Sequence, residues 1–169
     1  MRHREGRGSS NVFDITSAMI PGVDFTASEP WQILSYKTGQ DSPPRWDFIN
    51  RTEKQLEKYG NRLATFMVLL KKATTAGHTI FPGYKITIEL EEGDAVFWTN
   101  MQANGEKSIA AFHGDCAVGA GVKVTASLRI RAKGQLLAMS TMFGFFNVGL
   151  LALPRLHLPM NTCHAGDGF

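Results

Sequence analysis

His113 opens the segment richest in reactive side chains: His113, Asp115 and Cys116 lie within four residues, Gly121 follows, and Lys123 stands ten residues after the histidine. A lone histidine before a loop is most often a partly buried structural residue. Lys123 changes that reading, because it falls on the polar face of an alternating strand. In 122–130 (VKVTASLRI), Val122, Val124, Ala126, Leu128 and Ile130 share one face, and Lys123, Thr125, Ser127 and Arg129 share the other. A polar face lining a barrel interior buries its lysine, and a buried ammonium requires an anionic partner. A substrate carboxylate would serve. His113-Gly-Asp115 is also a His-x-Asp pair of the type that binds metal. It would need a later histidine, and His157 and His164 lie in a stretch without pattern. His78, before 79–82, is a further candidate that could approach from another strand.

These side chains need a rigid frame, and the chain is long enough to build one. Its 169 residues amount to one domain, and 43% apolar with 20% charged residues excludes a mostly disordered chain. The net charge of +3 is scattered apart from Arg2, Arg4 and Arg7, so nucleic acid is not an expected partner. Two cysteines allow one disulfide but no disulfide framework.

Residues 1–10 read as a flexible basic tail without the apolar region of a secretory signal. The expectation is either a cytosolic protein or a chain that lacks its true start. Residues 11–20 place Val12, Ile15 and Met19 at helical spacing, stopped by Pro21-Gly22. A strand is expected at 31–36, a turn-rich loop at 37–44, and extended chain at Pro43-Pro44. Asn50 and Glu53 suggest a capping box for a short helix to Tyr59, closed by Gly60. Strands are expected at 64–70 (ATFMVLL), 85–91 with Ile86, Ile88 and Leu90 on one face, 95–98 and 122–130. Many short strands separated by turns predict a β-sandwich or jelly roll with a few helices. Residues 136–153 carry no charge, which is the lower length limit of a membrane span. Ser140, Thr141, Gly144, Asn147 and Gly149 interrupt them, so an apolar tail is expected over a span.

From about 15 to 135 the sequence resembles the catalytic domain of the prolyl 4-hydroxylase α subunit, a family of 2-oxoglutarate- and iron(II)-dependent dioxygenases. The resemblance rests on 60–65 (GNRLAT), 77–82 (GHTIFP), 93–98 (GDAVFW), 104–106 (NGE), the spacing of His113, Cys116, Gly121 and Lys123, and Gly134-Gln135. It implies a mixed α/β, mainly β fold, a double-stranded β-helix (jelly roll) with flanking helices. It divides the chain into a tail at 1–10, a dioxygenase domain at 11–135 and an unmatched apolar tail at 136–169. It implies Fe(II), 2-oxoglutarate as cosubstrate, ascorbate, a proline-containing or procollagen-like substrate, a disulfide-isomerase subunit and the endoplasmic reticulum lumen. By resemblance Asp47 and His113 are the iron ligands, Lys123 and Tyr36 bind the cosubstrate, and Arg45 stands where the remaining iron-binding histidine is found.

Arginine carries only donors and stays protonated, so it cannot ligate. The expectation is a domain that is either an iron enzyme or a catalytically dead relative binding an anion or a partner. In the second case Arg45, two residues from Asp47 on one strand face, would neutralise that carboxylate and form an anion pocket with Lys123. Other departures are Ser42 for a second tyrosine, Arg129 for a tryptophan, and Thr141 for the cysteine that would partner the one matching Cys116.

Overall fold

In the computed structural model, which describes residues 1–50, 54–135 and 150–153, eleven strands form three antiparallel sheets. The largest has the order β1 (Gln32–Lys37), β10 (Val122–Arg131), β3 (Arg62–Lys71), β7 (Ala95–Thr99) and β11 (Leu150–Leu153). The second has the order β2 (Ser42–Arg45), β8 (His113–Asp115), β5 (Thr79–Phe81) and β6 (Ile86–Ile88), while β4 (Thr75–Ala76) pairs with β9 (Val118–Ala120). Helices α1 (Arg7–Met19) and α2 (Lys54–Tyr59) flank the sheets. The fold is mixed α/β and mainly β, a double-stranded β-helix with flanking helices.

The apolar run in β3 has a simple cause: the strand is buried on both faces. Ala64, Phe66 and Val68 pack with Phe13 of α1, Phe25, Trp31, Phe97, Leu128 and Ile130 on the outer side of the large sheet. Met67 and Leu69 point the other way and pack with Phe81, Ile88, Val96 and Trp98, which join the two larger sheets. Each of the larger of these side chains contributes about 2 kcal/mol by leaving water. The same alternation on β10 sends Ala126, Leu128 and Ile130 to the outer core and its polar residues into the space between the sheets.

Several expectations change. Helix α1 begins at Arg7, inside the stretch read as a tail, and Arg4 reaches Asp14 in an ion pair. Its inward residues are Phe13 and Thr16, whereas Ile15 and Met19 are 60% and 47% exposed. Thr16 tolerates burial because its hydroxyl donates to the Val12 carbonyl at 2.7 Å. The strand read at 85–91 is only Ile86–Ile88, because Lys85 has a positive φ of 55° and cannot extend the ladder. Pro43 and Pro44 are extended as expected, but they lie within strand β2 rather than at the end of a loop. Of the 136–169 stretch, the described residues 150–153 form strand β11, antiparallel to β7. The Asn50–Glu53 capping box, Thr141, His157 and His164 involve positions outside the described residues. Among the described residues no helix is long and apolar enough to cross a membrane.

Candidate functional site

The space between the two larger sheets is where the predicted residues meet. Strand β10 is paired on both sides, with β1 and β3, so its inward Lys123, Thr125, Ser127 and Arg129 have fixed backbone positions. Tyr36 lies opposite Lys123 in the β1–β10 register, and Thr65 lies opposite Arg129 in the β10–β3 register. On the facing sheet, His113 lies opposite Arg45, and Asp115 lies opposite both Ser42 and Thr79. Asp47 follows β2 and is 3% exposed. Arg45, Asp47, His113, Asp115 and Arg129 line one cavity of about 10 Å³, the lower limit for a single water molecule.

Two ion pairs fill this centre. Arg129 Nε donates to Asp47 Oδ1 at 2.9 Å, and a second guanidinium nitrogen donates to Gln32 Oε1. The other oxygen of Asp47, Oδ2, accepts from Thr65 Oγ1 at 2.8 Å, and Thr65 in turn accepts from Asn100 Nδ2 at 2.9 Å. Lys123 Nζ donates to Asp115 Oδ1 at 2.5 Å and to Thr79 Oγ1 at 3.0 Å, while Thr79 donates to Asp115 at 2.6 Å. Lys123 is 3% exposed, so the anionic partner that its burial requires comes from the chain itself.

His113 is held by its Nδ1, 2.9 Å from the Ala111 carbonyl, which leaves Nε2 as the lone-pair nitrogen, 3.8 Å from Asp47 Oδ2. Its ring lies 4.7 Å from Trp98 and 5.7 Å from Phe81. Burial among these rings pushes the imidazole pKa down, against the pull of Asp47 in the other direction. The ring is therefore neutral at pH 7, and its approach to Asp47 is not an ion pair. Burial raises the Asp47 carboxyl, but the Arg129 guanidinium, His113 and the hydrogen bonds from Thr65 and Arg129 outweigh it and hold the group below the usual carboxylate range. Tyr36 is pushed up by burial, partly offset by its hydrogen bond with Ser42.

No family model matches the chain. Its similarity to individual proteins is clear. It is 30% identical over 119 residues to human prolyl 4-hydroxylase subunit alpha-1, a match covering 69% of this chain and 22% of the relative. It is 34% identical over 105 residues to the chicken subunit alpha-2, covering 62% and 20%. The chain resembles the catalytic domain of the prolyl 4-hydroxylase α subunit. The viral collagen prolyl hydroxylase of Paramecium bursaria Chlorella virus-1, in its 2-oxoglutarate complex, superposes on this prolyl 4-hydroxylase-like domain with a TM-score of 0.58 at 25% identity, covering 72% of this chain and 68% of that one. A truncated form of the viral enzyme gives 0.65 at 24% identity, covering 78% and 71%. The domain spans about 22% of the length of its first curated relative.

The residues present do not fit an iron ion. Asp47 has both oxygens engaged, His113 offers one nitrogen, and Arg45 has no lone pair to give. Among the described residues no group of three His, Cys, Asp or Glu side chains could hold a metal. Nor does the centre, as folded, fit 2-oxoglutarate: the cavity is about water-sized, and Lys123 is already paired with Asp115.

The expectation that Arg45 neutralises Asp47 is corrected. Arg45 donates to Ser42 Oγ instead, and Arg129 from the opposite sheet takes Asp47. Residue 47 lies beyond the end of β2, so the two-residue spacing does not place both side chains on one strand face. The anion pocket built from Arg45 and Lys123 fails with it, since Asp115 occupies Lys123. The pairing roles of Arg129 and Asp115 escaped sequence reasoning. One signal was there: Arg129 lies six residues after Lys123 and so shares its inward face. Cys116, the neighbour of Asp115, is 4% exposed and disulfide-bonded, although Thr141 stands at the family's partner position.

Proposed function

We propose that this chain is a catalytically silent prolyl 4-hydroxylase-like domain that binds an extended, proline-containing polypeptide without oxidising it. The observation that carries the reading is the ligand count: of the three positions that the resemblance assigns to iron, Asp47 and His113 offer lone pairs and Arg45 offers none. Fe(II) and ascorbate, implied by the resemblance, accordingly have no role here.

A polypeptide ligand is supported by the aromatic pair beside the closed centre. Trp46 and Phe112 each adjoin a site residue in sequence, Arg45 and His113. Their rings lie 4.3 Å apart, both are partly exposed, and the Lys107 ammonium sits 4.1 Å over the Trp46 ring. Aromatic surfaces of this kind dock extended proline-rich chains, whose ordering cost is low. The functional unit is the 11–135 domain together with the residues of α1 that precede it and strand β11. The endoplasmic reticulum lumen and a disulfide-isomerase subunit belong to the same proposal, supported by the Cys116 disulfide, which suits an oxidising compartment.

The test is a reaction of the purified chain with Fe(II), 2-oxoglutarate, ascorbate and a Pro-Pro-Gly repeat peptide. Succinate release, peptide mass and tryptophan fluorescence are followed together. Peptide binding that Trp46→Ala abolishes, with no succinate and no mass gain, is expected. Hydroxylated peptide would overturn the catalytic half, and unchanged fluorescence with a peptide that stays free would overturn the binding half.

A further inference from the structure

We propose that the Arg129 guanidinium takes the place of a metal cation at Asp47, so that the centre is closed by an internal ion pair and opens to metal only when Arg129 is removed as well as Arg45. This rests on the reading of the domain as catalytically silent and explains how its polar centre stays folded.

Asp47 is a carboxylate at 3% exposure, and a buried carboxylate needs a compensating positive charge. The nearest is Arg129, whose side chain is 11% exposed and whose Nε lies 2.9 Å from Oδ1. Arg129 is a permanent cation with no lone pair, so it supplies charge but never coordination. Its position is rigid. Strand β10 is paired on both sides, with β1 and β3, and the guanidinium is held at its far side by Gln32 of β1. Thr65, opposite Arg129 in the register, closes the second oxygen of Asp47. Arg45 contributes little to this balance: it lies at the end of the outermost strand of the smaller sheet and donates to Ser42.

Changing Arg45 to histidine alone therefore leaves Oδ1 of Asp47 occupied and a fixed positive charge beside any incoming divalent ion. The sequence, which shows Arg45 as the altered ligand, suggests one block. The geometry adds Arg129 as a second.

The experiment is an anaerobic titration with Co(II), followed by its visible d–d absorption, on wild type, Arg45→His, Arg45→His/Arg129→Leu and Arg45→His/Arg129→Lys. Wild type, Arg45→His and the Lys variant are expected to show no band at millimolar Co(II). The Leu double variant is expected to bind at least 100-fold tighter than Arg45→His. If the Leu double variant is unfolded in buffer, added Co(II) should restore a thermal transition, and failure to do so overturns the proposal. A band in Arg45→His as strong as in the Leu double variant also overturns it, while leaving the catalytically silent reading of wild type intact. Peptide hydroxylation by wild type would sink that reading first. As a metal-free check, urea unfolding of Asp47→Asn, Arg129→Leu and their double variant should show the double less destabilised than the sum of the singles. Additive losses would mean that the two groups are not partners.

Discussion

Replacing Asp115 with leucine should unfold the domain far more easily than replacing Asp115 and Lys123 together. Among the described residues Asp115 supplies the only carboxylate within an ion-pair distance of Lys123, at 2.5 Å, and both side chains are nearly closed to water at 10% and 4% exposure. In Asp115→Leu the ammonium keeps its hydrogen bond to Thr79 Oγ1, at 3.0 Å, and loses its anionic partner. Breaking a buried pair by removing one partner costs about 3–5 kcal/mol, because the remaining charge is left uncompensated. Total stability for a domain of this size is about 5–15 kcal/mol, so the loss is about a fifth of it or more. The melting temperature should fall by about 10 °C.

Lys123→Met should cost a similar amount, since it strands the carboxylate with the Thr79 hydroxyl as its donor. Asp115→Leu/Lys123→Met removes both charges and fills the space with apolar atoms, so it should lie within about 1.5 kcal/mol of wild type or above it. The assay is urea unfolding followed by tryptophan fluorescence, closed as a double-mutant cycle. A double variant that loses the sum of the two single losses would refute the pairing. A single Asp115→Leu variant within about 0.5 kcal/mol of wild type would show that water reaches Lys123.

Three other outcomes follow from the same geometry. A Cβ on Gly114 would stand 2.7 Å from the Ser42 carbonyl oxygen and 2.9 Å from Pro44 N, so Gly114→Ala should cost about 1–3 kcal/mol. Faster hydrogen exchange at the His113 and Asp115 amides would report the separation of β8 from β2. Gln135, fully buried, clamps the Asp24 backbone with Oε1 at 2.9 Å from its nitrogen and Nε2 at 2.8 Å from its carbonyl. Gln135→Ala should cost about 2–3 kcal/mol in urea unfolding by stranding both groups, and a neutral result would mean that water replaces the amide. Stability should also fall in two steps as pH drops. His113 has a folded pKa below its ordinary 6.5, so the unfolded chain takes up that proton first and stability declines below about pH 6.5. Asp47 is held below its ordinary 3.8, so its contribution is complete above that value and is lost as pH falls through the lower folded value. Urea midpoints measured from pH 3 to 8 should lose the first step in His113→Gln, and an unchanged profile would argue against a buried neutral imidazole.

Sequence alone was enough for the long strands β3, β7 and β10 and for the face on which the polar residues of β10 stand. Alternation along 122–130 put Lys123 and Arg129 on one side of one strand, and that follows from the two-residue period of β backbone. The double burial of 64–70 was legible as an unbroken apolar run, and the loss of a lone pair at Arg45 was legible from residue chemistry. The resemblance to prolyl 4-hydroxylases rested on ordered short motifs, and the relatives bear it out. Helix α1 was legible as a helix but not by its face, because Thr16 buries itself through a bond to its own backbone, an option that apolar spacing does not reveal. Which cation meets which carboxylate follows only from the packing of the two sheets. Asp47 and Arg129 are 82 residues apart and meet across two sheets, while Arg45, two residues from Asp47, turns to Ser42. Side-chain period fixes a direction from one strand. A buried ion pair also needs a facing strand, its register and the distance between sheets, and those are properties of the packed whole.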